Sequence, residues 1–161
     1  MPQQLWFLRH GEAEPHGSAP DAERPLTPRG ERQATGAGEA LSRLGLELAA
    51  CYTSPKVRAA ETARLACAAL GVEAELADAL ASGLAADALG ELTSGHDGNA
   101  RLLFVGHEPD LSQAVLDLTG GRVDFKKGGI AAVRMAGPRG SRGELLVLLR
   151  PRELETLAGS A

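Results

Sequence analysis

A chain of 161 residues, 43% hydrophobic and 24% charged, is long enough to bury a full core as one domain without disulfide or metal staples. Its net charge of −4 offers no basic field for nucleic acid, and no apolar run approaches the ~20 residues needed to cross a bilayer. Arg9 and His10 interrupt the N-terminal apolar run too early for a signal peptide, and Cys51 and Cys67 are too few for a disulfide framework. A cytoplasmic setting with free thiols is therefore expected.

The first element predicted is a strand at Leu5-Trp6-Phe7-Leu8, an unbroken apolar run of the kind buried on both faces of a parallel sheet. It ends in Arg9-His10-Gly11-Glu12, where open α/β sheets bind their ligands. Arg9 offers a fixed fork for phosphate oxygens, and His10 can serve as nucleophile, base or metal ligand. Taken alone, these residues fit an anion site and an exposed Arg-His pair equally well. Residues 12–26 have the composition of a long loop. Thr27 then caps a helix with Pro28 at its first position, running to about Leu44 and stopped by Gly45. Thr35-Gly36-Ala37-Gly38 lies inside that helix and follows no strand, so it reads as a close-packing surface rather than a nucleotide loop.

Leu48 to Thr53 reads as a second strand, followed by Ser54 as N-cap and Pro55 at the first position of a helix ending at Gly71. Val72–Leu76 is a weak third strand, Leu84–Leu92 a short helix and Ser94–Asn99 a loop. Leu102-Leu103-Phe104-Val105 repeats the opening theme, with Gly106-His107 at its end and a helix from Pro109 to about Leu118. Residues 123–135 and Glu144–Leu149 read as two strands forming an antiparallel sheet edge. Lys126-Lys127-Gly128-Gly129 fits a turn near the substrate face or a solvated hairpin. After Pro151 one helical turn and a poorly ordered tail over residues 151–161 are expected. The whole predicts a single domain over residues 1–161, a three-layer α/β/α sandwich with a mostly parallel central sheet and helices on both faces.

Three strand ends are then expected to share one rim, with Arg9 and His10 from the first strand, Arg58 from the helix after the second and His107 from the later one. Two guanidiniums and two imidazoles suit a dianionic phosphoryl group, whose charge is spread over three equatorial oxygens during transfer. An in-line imidazole can take that group covalently, and water can discharge it. No metal-ligand cluster or nucleotide-binding loop is visible, so no cofactor and no metal are expected.

At this point a resemblance is explicit. Leu8-Arg9-His10-Gly11-Glu12 resembles the signature of the histidine phosphatase superfamily, the phosphoglycerate mutase-like proteins. Arg24-Pro25-Leu26-Thr27-x-x-Gly30, Ser54-Pro55-x-x-Arg58-Ala59-x-Glu61-Thr62-Ala63 and Gly106-His107 follow in the family's order, spanning residues 5–110. The resemblance implies that His10 is the phosphorylated nucleophile, with Arg9, Arg58 and His107 completing the phosphate pocket. Glu12, Thr62 and Glu108 match or neighbour signature positions, with capping or orienting as their plainer uses. His16 and His96 read as surface residues, and Cys51 and Cys67 as buried, inert thiols.

The interval between Arg58 and His107 leaves no room for the cap that mutases and sugar phosphatases insert there. The chain therefore resembles the small SixA-type branch, phosphohistidine phosphatases acting on signalling proteins, as does Asp21-x-x-Arg24-Pro25-Leu26-Thr27. A neutral imidazole leaving group needs a dedicated acid less than an alkoxide does, and an uncapped site admits a protein. Asp21 is the candidate acid, with Glu14 and Glu23 as alternatives. The expected partner is a phosphorylated protein such as a histidine-containing phosphotransfer domain, with a small phosphate ester as the other substrate class and no nucleic acid or membrane. A monomer is expected. The competing functions are a small-molecule phosphomonoesterase and a non-catalytic phosphate-binding module.

Overall fold

A computed structural model describes residues 2–136 and 142–159. In chain order the elements are β1 (Gln4–Arg9), α1 (Pro28–Arg43), β2 (Ala50–Thr53), α2 (Val57–Leu70), β3 (Ala74–Leu76), α3 (Ala86–Ser94), β4 (Arg101–Gly106), α4 (Asp110–Thr119), β5 (Ile130–Arg134), β6 (Glu144–Leu149) and α5 (Pro151–Leu157). The strands form one six-stranded sheet in the order β3-β2-β4-β1-β5-β6. Those from β3 to β1 run parallel, and β5 and β6 form an antiparallel edge, as predicted.

The apolar run of β1 is explained by its central place between β4 and β5. Alternate side chains serve two separate cores. Trp6 and Leu8 join Leu103 and Val105 beneath α1, α2 and α5, whereas Leu5 and Phe7 join Leu102 and Phe104 beneath α3 and α4. Phe7 lies opposite Phe104 in the register, with ring centroids 5.6 Å apart. Helices on both faces give the three layers. Gly38 lets α1 approach α2 closely, since a Cβ there would overlap the Ala66 carbonyl. Small residues at this point pack helices, as the sequence suggested.

The chain leaves β1 toward α1 on one face and leaves β4 toward α4 on the other. β1 and β4 are neighbours, so their C-terminal ends flank the crevice where an open α/β sheet binds its ligand. His10 follows β1 and His107 follows β4.

Several boundaries differ from the sequence reading. α2 begins at Val57 with Lys56 in extended conformation at its cap, so Ser54 and Pro55 are not its first residues. The cause is that the Ser54 N–H still donates to the Val105 carbonyl at 3.0 Å, which holds Ser54 in line with the sheet. The segment 123–135 supplies only β5, because Lys126–Gly129 turns sharply, with φ +79° at Gly128. Its Phe125 is nevertheless buried in the core beneath α4. β2 and β3 are shorter than expected, and α3 lies two residues later. The segment after Pro151 is more than one turn. α5 spans seven residues and buries Leu154, with Ala158 beyond it, against α1.

Candidate active site

His10 is held from three sides of the backbone. Its own N–H donates to the Gly106 carbonyl at 3.1 Å, its carbonyl accepts from Gly128 N–H at 3.0 Å, and its Nδ1 lies 2.7 Å from the Gly11 carbonyl. A carbonyl can only accept, so Nδ1 carries the hydrogen and Nε2 keeps its lone pair. Burial lowers the His10 pKa to about 4, assisted by the charges of Arg58, Arg9 and Lys127 and opposed by the Gly11 contact. The ring is neutral at pH 7, with a lone pair on Nε2.

Gly11 is required here for space. A Cβ on it would sit 2.6 Å from the Gly30 carbonyl oxygen, and one on Gly30 would overlap the Glu12 carbonyl. The start of α1 is thereby pressed against the turn that carries His10. Thr62 on α2 completes the fixation: its hydroxyl accepts from Gly11 N–H at 3.0 Å and donates to the Arg58 carbonyl at 2.7 Å. This one side chain ties the His10 turn to the residue that bears the guanidinium.

His107 lies against His10, with ring centroids 5.1 Å apart and planes inclined by 53°. Burial, then His10, Arg58 and Lys56, bring its pKa down to about 3, so it too is neutral. Its Nε2 is 2.8 Å from the Ser54 hydroxyl. Ser54 Oγ also accepts Lys56 N–H at 3.2 Å, and its second lone pair lets it either donate to Nε2 or accept from it. When Ser54 donates, the hydrogen of His107 resides on Nδ1. His107 Nδ1, Arg9 Nε and Arg58 Nε are buried nitrogens without a protein hydrogen-bond partner among the described residues. Donors of this kind suit an oxyanion.

Arg9 donates through Nη1 to the Phe125 carbonyl at 2.8 Å. Arg58 donates through Nη1 to the Asp21 carbonyl at 2.7 Å and through Nη2 to the Asp21 carboxylate at 3.3 Å. That carboxylate also receives Arg24 at 2.9 and 3.2 Å and lies 3.6 Å from Lys56 Nζ. The hydrogen bonds from Arg24, with the charge and hydrogen bond of Arg58, lower its pKa to about 2. Asp21, the candidate acid, is thus ionised in this arrangement and carries no proton to give.

The remaining candidates separate cleanly. Glu12 accepts from the Thr27 hydroxyl at 2.8 Å, and Glu108 accepts from Ser112 N–H at 2.8 Å in the first turn of α4, so both organise the backbone. Glu14 contributes its carbonyl to Arg24 at 2.7 Å, and Glu23 is exposed. His16 is exposed as expected. His96 is not simply a surface residue, since it is half-buried with its Nε2 2.7 Å from the Tyr52 hydroxyl. Cys51 and Cys67 are buried free thiols.

Sequence reasoning missed Ser54, whose Ser-Pro setting imitates a helix start, and Lys56, which follows it. It also missed the carbonyl of Phe125 and the side chain of Gln33, which accepts Glu12 N–H at 2.9 Å. The double glycine after Lys127 was the available signal for the loop that supports His10.

Arg9 and His10 at the end of β1, Arg58 in the first turn of α2 and His107 after β4 bring to the C-terminal rim of an α/β sheet four groups of the kind that suit a tetrahedral oxyanion. Residues 5–82 match the model of the histidine phosphatase superfamily (branch 1), a span that contains Arg9, His10 and Arg58. The chain is 35% identical over 165 residues to an uncharacterized protein of Picosynechococcus sp. (strain PCC 7002), covering 94% of this chain and 98% of that one. It is similar to the structure of the protein histidine phosphatase SixA complexed with tungstate, with 27% identity, a TM-score of 0.81 and coverage of 94% and 99%. It shares its fold with a phosphoserine phosphatase variant from Entamoeba histolytica in complex with phosphoserine, at 16% identity, TM-score 0.74 and coverage of 94% and 99%. The chain belongs to the histidine phosphatase superfamily.

Proposed function

We propose that this protein is a phosphohistidine phosphatase of the SixA type, acting on a phosphorylated protein through a covalent intermediate on His10. The observation that carries the reading is the neutral His10 imidazole, its Nδ1 hydrogen committed to the Gly11 carbonyl at 2.7 Å and its Nε2 left as the nucleophile. In the first step Nε2 bonds to phosphorus as the bond from phosphorus to the substrate's imidazole nitrogen breaks. In the second, water oxygen bonds to phosphorus and the bond to Nε2 breaks, releasing inorganic phosphate. The substrate ring, protonated at its other nitrogen, leaves in the first step as neutral imidazole, and the protons of the attacking water leave with the phosphate, so the balance closes without a redox partner.

Arg9, Arg58 and the Nδ1–H of His107 are the donors assigned to the phosphoryl oxygens, where charge develops. No metal is required by this scheme. Asp21 is assigned the part of holding Arg58 and Arg24 in position until the substrate's dianion competes for Arg58. The openness of the rim supports a protein substrate. Between α2 and β4 lie only β3, a 3₁₀ turn and α3, and Leu89 of α3 packs into the core beneath the sheet rather than over His10. The structural similarity to a tungstate-complexed protein histidine phosphatase points the same way.

Trapping tests the reading. Brief exposure to a ³²P-phosphohistidine protein followed by acid-free denaturation should leave label on the wild type and none on His10→Ala. Rapid hydrolysis of small phosphate esters with no action on phosphohistidine would show the phosphomonoesterase reading to be right instead.

A further inference from the structure

We propose that the cationic cleft beside the phosphate pocket is a docking surface for acidic side chains flanking the phosphohistidine of the protein substrate. This inference rests on the phosphohistidine reading above. The cleft encloses about 460 Å³ and is lined by Arg9, Arg29, Lys126, Lys127, Arg150 and Arg152, with Glu12 as its one carboxylate. That carboxylate is occupied by the Thr27 hydroxyl at 2.8 Å. A concentration of six cations stands out on a chain whose net charge is −4.

Three of the six meet neighbouring carboxylates. Lys126 lies 3.1 Å from Asp124, and Arg150 and Arg152 share Glu153 at 2.9 and 3.7 Å. Among the described residues, Arg29 and Lys127 have no carboxylate within ion-pair distance. The exposed pairs are weak and exchange readily with an incoming anion.

The cleft is continuous with the reaction centre. Arg9 lines it, and its charge also acts on the adjoining His10 ring. Lys127 is tethered there by the next residue, because Gly128 N–H donates to the carbonyls of Arg9 and His10 at 3.1 and 3.0 Å. Gln33 and Glu12 join the floor of the cleft to the His10 turn. A substrate whose phosphorylated imidazole faces His10 therefore lays its neighbouring residues over these cations. Complementary charge at such a place accelerates encounter about 10–10³-fold and is screened by salt.

Two phosphohistidine peptides of equal length test this, one flanked by Asp and Glu and one by Asn and Gln. The acidic peptide should be favoured at least about 10-fold in kcat/KM, mostly through KM, and the preference should collapse in 0.5 M NaCl. The triple variant Arg29→Glu, Lys126→Glu and Arg152→Glu should lose the preference while hydrolysing the neutral peptide as the wild type does. Equal use of the two peptides by the wild type overturns this inference alone, as does a preference that the triple variant retains. Hydrolysis of neither peptide overturns the phosphohistidine reading itself, and the inference with it.

Discussion

Ser54 shows how one hydroxyl can decide the chemistry of a neighbour. An imidazole that is neutral and buried has two tautomers, and only one of them presents Nδ1–H to an oxyanion. The Ser54 proton, donated to Nε2 2.8 Å away, selects that tautomer. Ser54→Ala should lower kcat/KM about 3- to 10-fold, the worth of one net hydrogen bond. It should also alter the ¹⁵N shifts of the His107 ring, whose tautomer is then unselected. Unchanged ring shifts would remove Ser54 from the site. The sequence displayed His10, Arg9, Arg58 and His107 because their chemistry shows in residue type and motif. It hid Ser54 because a serine before a proline is equally at home capping a helix. Partners far apart in the chain leave no local mark, and the pairing of Ser54 with His107 is of that kind.

The secondary structure was readable wherever periodicity and punctuation agreed. Thr27-Pro28 and Gly45 bracket α1, and the apolar runs of β1 and β4 announce two-sided burial. Reading failed where a tertiary contact overrode a local signal. Phe125 lies in a stretch resembling a strand, yet the turn at Lys126–Gly129 gives its carbonyl to Arg9. α5 was expected to fray because so short a helix has little stability of its own. Packing supplies the missing stability, since Leu154 is only 1% exposed beneath α1. Leu154→Ala should cost about 2–5 kcal/mol, as a buried leucine deletion commonly does. Urea unfolding checks it, and a midpoint equal to the wild type's would mean the segment is loose after all.

For the folded molecule, the two buried imidazoles set how stability responds to acid. An unfolded chain protonates His10 and His107 near pH 6.5, whereas the folded chain resists until about 4 and about 3. Between those values the unfolded state binds more protons, so stability rises with pH and falls as the solution is acidified from 6.5 toward 4. Asp21 acts later: its contribution is complete above the unfolded value of 3.8 and is lost as pH falls through about 2. The urea midpoint should therefore drop between pH 7 and 4.5, and His107→Gln should flatten that slope. A variant with the wild type's slope would show that His107 titrates normally.

The two histidines stand on adjoining strands whose onward helices lie on opposite faces of the sheet. The proposed reaction centre is therefore a seam between two packed halves, and its spacing records their alignment. A slip of either half by the width of a methyl group would misplace His10 Nε2 against His107 while leaving each half intact within itself. The constraint on apolar residues remote from the rim is thus one of alignment, shared by the interiors on the sheet's two faces.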